Sequence, residues 1–321
     1  MAALSELRAP EVVDLRDLQA EDLNPLLEEE SLTWRSQFSW DSSASAELVR
    51  RFVRIQALNG FALLLHGRVI GYSYYVCEER KALIGDLYLL REFATTENED
   101  HLLAAVLQAL MKTPYMHRVE AQLLMMHGPY DRPMPFSRYL RTQSRIFMMM
   151  DLADAAELPE APAATRYLFH SWNENRQEEA AKLIARSYEG HIDGTINDQY
   201  RSVSGARRFL MNIVQYPGCG AFFAPGSYLA DSVPRRLEGL SLTSLVAQNV
   251  GHITQICVSP EVRQRGVGYE LMRRSLRAFA NCECEKASLT VTAANEGAVH
   301  LYQRMGFRAT RRFGAYVWEG F

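Results

Sequence analysis

The residues of this chain best suited to chemistry lie between Ile256 and Tyr269, in the segment ICVSPEVRQRGVGY. An apolar run, Ile256-Cys257-Val258, ends at Ser259-Pro260. The loop Arg263-Gln264-Arg265-Gly266-Val267-Gly268 follows, and a helical pattern then begins. A strand, a tight turn and a helix N-terminus together bind anions, because the first N–H groups of a helix lack partners and the helix dipole favours negative charge there. Gly266 and Gly268 leave room for backbone N–H groups to approach a phosphate, while Arg263 and Arg265 add cationic reach. A Walker loop would need Gly-Lys-Ser/Thr after the second glycine, where Val267-Gly268-Tyr269 stands. A dinucleotide fingerprint would need a third glycine and an acidic residue on the next strand, and neither is evident.

The pattern R-x-x-G-x-G after V-x-P resembles the acetyl-CoA pyrophosphate loop of the GNAT superfamily of N-acetyltransferases. Downstream, Leu289-Thr290-Val291 reads as the next strand, and Asn295 to Phe307 (NEGAVHLYQRMGF) is similar to the family's second signature, N-x-x-A-x-x-L-Y-x-x-x-G-F. The two signatures stand in the family's order between Gly251 and Phe307. The resemblance implies that acetyl-CoA is the co-substrate. It implies that backbone groups of Ile256, Cys257 and Val258 pair with the pantetheine arm, the Val258 N–H donating to the thioester oxygen. Arg263, Gln264, Arg265, Gly266, Val267 and Gly268 are then expected to hold the pyrophosphate and Asn295 to hydrogen-bond the pantetheine. Tyr302 is expected near the sulfur as the acid that protonates the departing thiolate. Ring packing for Tyr302 and helix capping for Asn295 are the structural alternatives.

The proton acceptor is less well marked. Many members of the family carry a Glu on the strand before the loop; here His252, Thr254 and Gln255 occupy it. His252 is the candidate base, because an unperturbed imidazole titrates near pH 6.5, and a water relay through Thr254 or Gln255 is the alternative. Deprotonating an alkyl amine at pH 7 needs roughly 4 kcal/mol, at about 1.4 per pKa unit. The family places its acceptor pocket between the first helix and the first meander strand, here Ser187 to Gly220. His191, Asp193, Asn197, Tyr200 and Arg201 make that segment polar, which suits either a polar acceptor or a solvated surface. Cys219, between Gly218 and Gly220, has no neighbouring base to activate it as a nucleophile.

These residues need two domains' worth of framework, and 321 residues with 48% hydrophobic content supply it. The same order of elements occurs twice. Val12–Leu15, a helix over Leu18–Ser31, strands at Phe61–Leu65, Val69–Val76 and Ala82–Leu90, and a helix over Leu102–Met111 make up the first copy. Arg166–Phe169, a helix over Gln177–Tyr188, strands at Ala221–Phe223, Leu237–Val246 and Gly251–Val258, and a helix over Tyr269–Ala280 make up the second. The fold class is α/β: two tandem GNAT-like domains, each a mixed, mostly antiparallel sheet flanked by helices. Residues 1–152 form a degenerate copy, 153–164 a linker rich in Ala, Pro and acid, and 165–321 the catalytic copy. Aligned without a gap, Leu87 stands opposite Ile256, so Glu97 and Glu99 replace Gly266 and Gly268. A carboxylate about 4 Å from a phosphate costs on the order of 4 kcal/mol at an effective dielectric of about 20, so the first copy is expected to bind no CoA. The tandem layout resembles the mycothiol synthases in architecture.

A net charge of −3 gives no general attraction to nucleic acid or to an anionic membrane. Five cysteines without repeating spacing argue against a disulfide framework, and no His cluster accompanies Cys282-Glu283-Cys284, so no metal is expected. Glu6 and Asp14 stand where a signal peptide would be apolar, and no stretch approaches the ~20 apolar residues of a membrane span. The expectation is a cytoplasmic N-acetyltransferase acting on a small-molecule or peptide amine. The alternatives are a non-catalytic acyl-CoA sensor or interaction module and an acyltransferase with another acyl donor.

Overall fold

The computed structural model describes residues 9–215 and 220–321; Glu6 and Cys219 lie outside them. The first half of the chain runs β1 (Glu11–Asp14), α1 (Asn24–Phe38), α2 (Ser43–Arg54), β2 (Gly60–Leu65), β3 (Arg68–Glu78), β4 (Lys81–Leu89), α3 (Thr96–Met111), β5 (Arg118–Leu123) and β6 (Leu140–Asp151). The second half runs β7 (Leu168–Ser171), α4 (Gln177–Ser187), α5 (Asp193–Ile196), α6 (Val203–Gln215), β8 (Ala221–Phe222), β9 (Tyr228–Ser232) and β10 (Arg236–Ala247). It continues with β11 (Val250–Val258), α7 (Val267–Asn281), β12 (Lys286–Thr292), α8 (Glu296–Arg304) and β13 (Arg308–Glu319). Among the described residues no helix is long and apolar enough to cross a membrane.

The chain forms two compact units, one comprising the residues up to Ser144 with Phe313–Phe321, the other Arg145–Arg312. In the first, β1 to β4 form an antiparallel meander, β4 pairs in parallel with β5, and β5 pairs with Gly314–Glu319 of β13. In the second, β7, β9, β10 and β11 are antiparallel in that order, β11 pairs in parallel with β12, and β12 pairs with Arg145–Asp151 of β6. Each unit therefore takes its last strand from the other half of the chain, and the boundary falls within β6 and β13 rather than at 153–164. The expected linker contains two short 3-10 turns, Leu152–Glu157 and Pro162–Thr165, and buries Leu152, Ala155, Ala161 and Ala163 in the cores of the second unit.

The two units repeat one another strand by strand. The parallel ladder runs from Lys81/Arg118 to Ile84/Ala121 in the first and from Val250/Lys286 to Ile253/Leu289 in the second. Just beyond it, each central strand carries one extra residue, Gly85 in the first and Thr254 in the second, at the same place in the Leu87/Ile256 alignment. A β-bulge of this kind bends and twists a strand, and here it coincides with the point at which the parallel neighbours separate. The long helices keep the same register: Leu102, Leu103, Val106, Leu107 and Leu110 are buried opposite Leu271, Met272, Ser275, Leu276 and Phe279. That spacing makes one apolar stripe down each helix. Each large apolar side chain buried there contributes roughly 1.5–3 kcal/mol.

A second sequence expectation is corrected. The counterpart of β2 is β9, not Ala221–Phe223; the latter supplies only a two-residue strand against Ser244 and Leu245. Asp231 interrupts the apolar pattern of β9 and hides the strand from a periodicity reading. It is fully buried in the sheet because Arg176 holds its carboxylate with bonds of 2.7 and 2.9 Å.

Candidate active site

Beyond the Ile253/Leu289 pair β11 keeps β10 on one side and loses β12 on the other. The Ser259 N–H donates to the Glu238 carbonyl at 2.7 Å. In an antiparallel ladder only alternate residues bond to a given neighbour. Ser259, Cys257 and Gln255 therefore face β10, and the amide groups of Ile256 and Val258 face the open edge. One of these groups is already engaged, since the Tyr188 hydroxyl lies 3.4 Å from the Ile256 carbonyl oxygen while accepting from Gln255 Nε2 at 3.1 Å. Burial raises the Tyr188 pKa well above its ordinary value, so it remains a donor. Tyr188 ends α4 and its ring stacks on Tyr200 at 4.5 Å. The sequence marked it only as the end of a helix. The Cys257 side chain points the other way into a core, where burial pushes its thiol up to about 12.

The loop after β11 ends in Gly266, the N-cap of α7, at φ 84°, a left-handed conformation that a side chain strains. No side chain caps the helix, and its first internal bond runs from the Glu270 N–H to the Gly266 carbonyl at 3.0 Å. The N–H groups of Val267, Gly268 and Tyr269 therefore have no acceptor within the helix. Gly268 lies beside Val258, whose Cγ2 would be 3.5 Å from an added Cβ, so the helix start adjoins the open strand. Arg263 is not free, because its Nη2 donates to the Ser187 carbonyl at 2.6 Å and ties the loop to the end of α4. Arg265 is exposed and makes no hydrogen bond or ion pair among the described residues. Gln264 contributes a left-handed turn (φ 61°) and Val267 a buried side chain. Glu270 is fully buried. Desolvation would raise its pKa, but Arg273, the Ala161 N–H and Arg274 outweigh that and lower it.

The first unit closes the equivalent place with its own atoms. Its helix starts two residues earlier in the alignment, and the Thr95 hydroxyl caps it by accepting from the Asn98 N–H at 3.2 Å. Glu97 and Glu99 both lie in that first turn. Glu99 is buried and accepts from the His127 N–H at 2.6 Å and from Arg132 Nη2 at 3.1 Å. Desolvation opposes its charge, and the bonds from His127 and Arg132 overcome that and lower its pKa. By the alignment of β5 with β12, His127 stands where the second unit has Asn295. The Glu99 carboxylate thus bridges the helix start and the segment after β5.

The remaining sequence candidates divide clearly. Tyr302, on α8, is buried with its ring edge-on to Phe307, and its hydroxyl takes no hydrogen bond among the described residues. Burial raises its pKa, Asp193 raises it further, and Arg145 partly offsets both, so the phenol keeps its proton at any ordinary pH. Asn295 caps α8 by accepting from the Ala298 N–H at 3.3 Å. His252 is buried, its Nδ1 2.9 Å from the Ser288 hydroxyl, and burial with Arg145 nearby lowers its pKa to about 3. Burial and the contact with Ser288 hold the ring inside the sheet, away from solvent. Thr254 and Gln255 are also engaged, with Ser244 and Tyr188.

On the acceptor side, Asn197 caps a turn through the Gln199 N–H, Tyr200 packs between Tyr188 and Phe209, and Arg201 Nε donates to the Gly194 carbonyl at 2.6 Å. These three shape the wall. His191 and Asp193 instead gather with Arg145 and Thr292 near Tyr302. A groove of about 770 Å³, lined by Tyr188, His191, Ile192, Thr195 and Arg201 among others, opens beside them. Arg145 and Thr292 carry no sequence mark, since both sit in strands whose pattern is apolar. Among the described residues no group of His, Cys, Asp and Glu could hold a metal.

Residues 147–307 match the Acetyltransferase (GNAT) family. The N-alpha-acetyltransferase MAK3 of Arabidopsis thaliana is 34% identical over 70 residues, which are 22% of this chain and 37% of the plant protein. The mycothiol acetyltransferase of Tsukamurella paurometabola is 32% identical over 101 residues, 30% of this chain and 35% of that one. The chain thus spans a little over a third of the length of each of these relatives. A tandem GNAT protein from the clavulanic acid biosynthesis pathway shares the fold, with a TM-score of 0.64 at 17% identity over 97% of this chain and 98% of that one.

Proposed function

The chain belongs to the acetyltransferase (GNAT) family, and we propose that its second unit transfers an acetyl group from acetyl-CoA to the amine of a small molecule or peptide. The observation that carries this reading is the uncapped start of α7 behind Gly266, set against the one stretch of β11 that has lost its neighbour. Acetyl-CoA is a substrate of this reaction and supplies the thioester. The residues present suit it: open N–H groups at Val267, Gly268 and Tyr269 and the free guanidinium of Arg265 would meet its phosphates. The amides of Ile256 and Val258 would run beside its pantetheine arm, near Asn295. Tyr302, a buried phenol that holds its proton, suits the acid that serves the departing thiolate.

The first unit, with its groove bridged by Glu99 and Arg132, is read as a copy without a CoA site. Calorimetry with acetyl-CoA should therefore give one site per chain, and two equivalent sites would refute that division. Thiol release from acetyl-CoA across a panel of amines tests the transfer itself. Tight binding with no release from any amine would favour a non-catalytic acyl-CoA sensor.

A further inference from the structure

β11 offers no carboxylate to the cleft, its His252 is buried against Ser288, and Thr254 and Gln255 are bonded to Ser244 and Tyr188; the cleft obtains a carboxylate from elsewhere. Asp193 Oδ1 accepts from the Thr292 hydroxyl and lies 3.4 Å from Arg145 Nη1. Arg145 is itself fixed by Thr292 Oγ1 and Thr290 Oγ1, both at 2.9 Å. The last residues of β12 thus hold the cation that holds the carboxylate. That places Asp193 where β12 has parted from β11, and its charge acts on the hydroxyls of both Tyr302 and Tyr188. Its side chain is 15% exposed, which leaves a path to solvent. His191 is not poised for the same task. Its Nδ1 accepts the Asp193 N–H at 3.2 Å, so the neutral ring carries its proton on Nε2 and has no free lone pair.

We infer that Asp193, delivered by the start of α5 instead of the central strand, takes the proton from the acceptor amine, with Arg145, Thr290 and Thr292 as positioning residues. The inference rests on the acetyl-transfer reading of the same cleft. An ammonium acceptor gives up two protons in all. Asp193 takes the first and passes it to solvent, and the neutral nitrogen then attacks the thioester carbon. As the N–C bond forms and the C–S bond breaks, Tyr302 protonates the sulfur and regains a proton from the nitrogen. The products are the amide and the free thiol.

The test uses the full chain with saturating acetyl-CoA and two acceptor probes: benzylamine, an ammonium at neutral pH, and aniline, already neutral there. Asp193→Asn should lower kcat for benzylamine by roughly 10²–10⁴-fold and for aniline by less than about tenfold. Asp193→Glu should recover part of the loss. Acetyl-CoA affinity, read by calorimetry without any acceptor, should be unchanged in both variants. Equal losses with the two amines, a loss confined to KM, or a matching fall in acetyl-CoA affinity would each assign Asp193 a structural or binding role and overturn the inference. Absence of thiol release from the wild type with these and all other amines would instead sink the acetyl-transfer reading and the inference with it.

Discussion

Replacing His252 by Gln should change how stability depends on pH while leaving acetyl transfer nearly intact. The imidazole is buried against Ser288, and its pKa is lowered to about 3 from an ordinary 6.5. Above pH 6.5 the ring is neutral in the folded and unfolded chains alike, so its full contribution is present. Below 6.5 the unfolded chain binds a proton that the folded chain refuses, and stability falls by about 1.4 kcal/mol per pH unit until pH approaches 3. At pH 5 the loss from this one group is therefore about 2 kcal/mol. Glutamine can keep a hydrogen bond to Ser288 without titrating. Urea unfolding at pH 7.5 and pH 5.0 for wild type and His252→Gln isolates the term, because other titrating groups cancel in the double difference. With two units in the chain, the relevant transition is the one that the substitution shifts. A double difference near zero would refute the burial argument. A 100-fold loss of turnover at pH 7.5, with acetyl-CoA affinity retained, would place His252 in the proton path.

Two further substitutions address the proposed cofactor loop and the proposed acid. Gly266→Glu places in the second unit the residue the first unit carries there, at a backbone angle that strains any side chain. Acetyl-CoA binding by calorimetry should be lost while far-UV circular dichroism is unchanged, and retained affinity would show that the loop is not the phosphate cradle. Tyr302→Phe removes a hydroxyl that has no hydrogen bond among the described residues, so affinity should barely change. Thiol release should fall by roughly 10²–10⁴-fold, about 3–5 kcal/mol on the barrier, and an unaltered rate would exclude Tyr302 as the acid.

What the sequence made legible was local. The glycine loop before α7 and the α8 signature are contiguous runs, so their residues could be named without coordinates, and the Leu87/Ile256 register followed from adjacent strands of matching pattern. What stayed hidden depends on partners far along the chain. Asp231 makes β9 look unlike a strand until Arg176 is seen beside it. Nothing in the sequence shows that Arg263 also ties its loop to the Ser187 carbonyl at the end of α4. Arg145 and Thr292 lie 147 residues apart and meet only because each unit ends on a strand from the other half. His252 illustrates a different limit: residue type suggested a base near neutrality, and burial, which composition cannot report, moved its pKa away.

The comparison of the two units also bears on why one of them carries the candidate site. A helix start leaves N–H groups that must find acceptors, and the first unit satisfies its own with the Thr95 hydroxyl while Glu99 and Arg132 seal the adjoining groove. The second unit forgoes such a cap, which in other helices is worth roughly 0.5–2 kcal/mol, and begins two residues later on a left-handed glycine. It also leaves one edge of β11 open beyond the bulge. Neither feature stabilises the unit by itself, and each leaves backbone donors exposed along the same cleft. A fold that has the bulge, the splayed strands and the helix register in both copies, yet bridges the helix start to the segment after β5 in only one, carries in the other a local instability of the kind that the proposed ligand would relieve on binding.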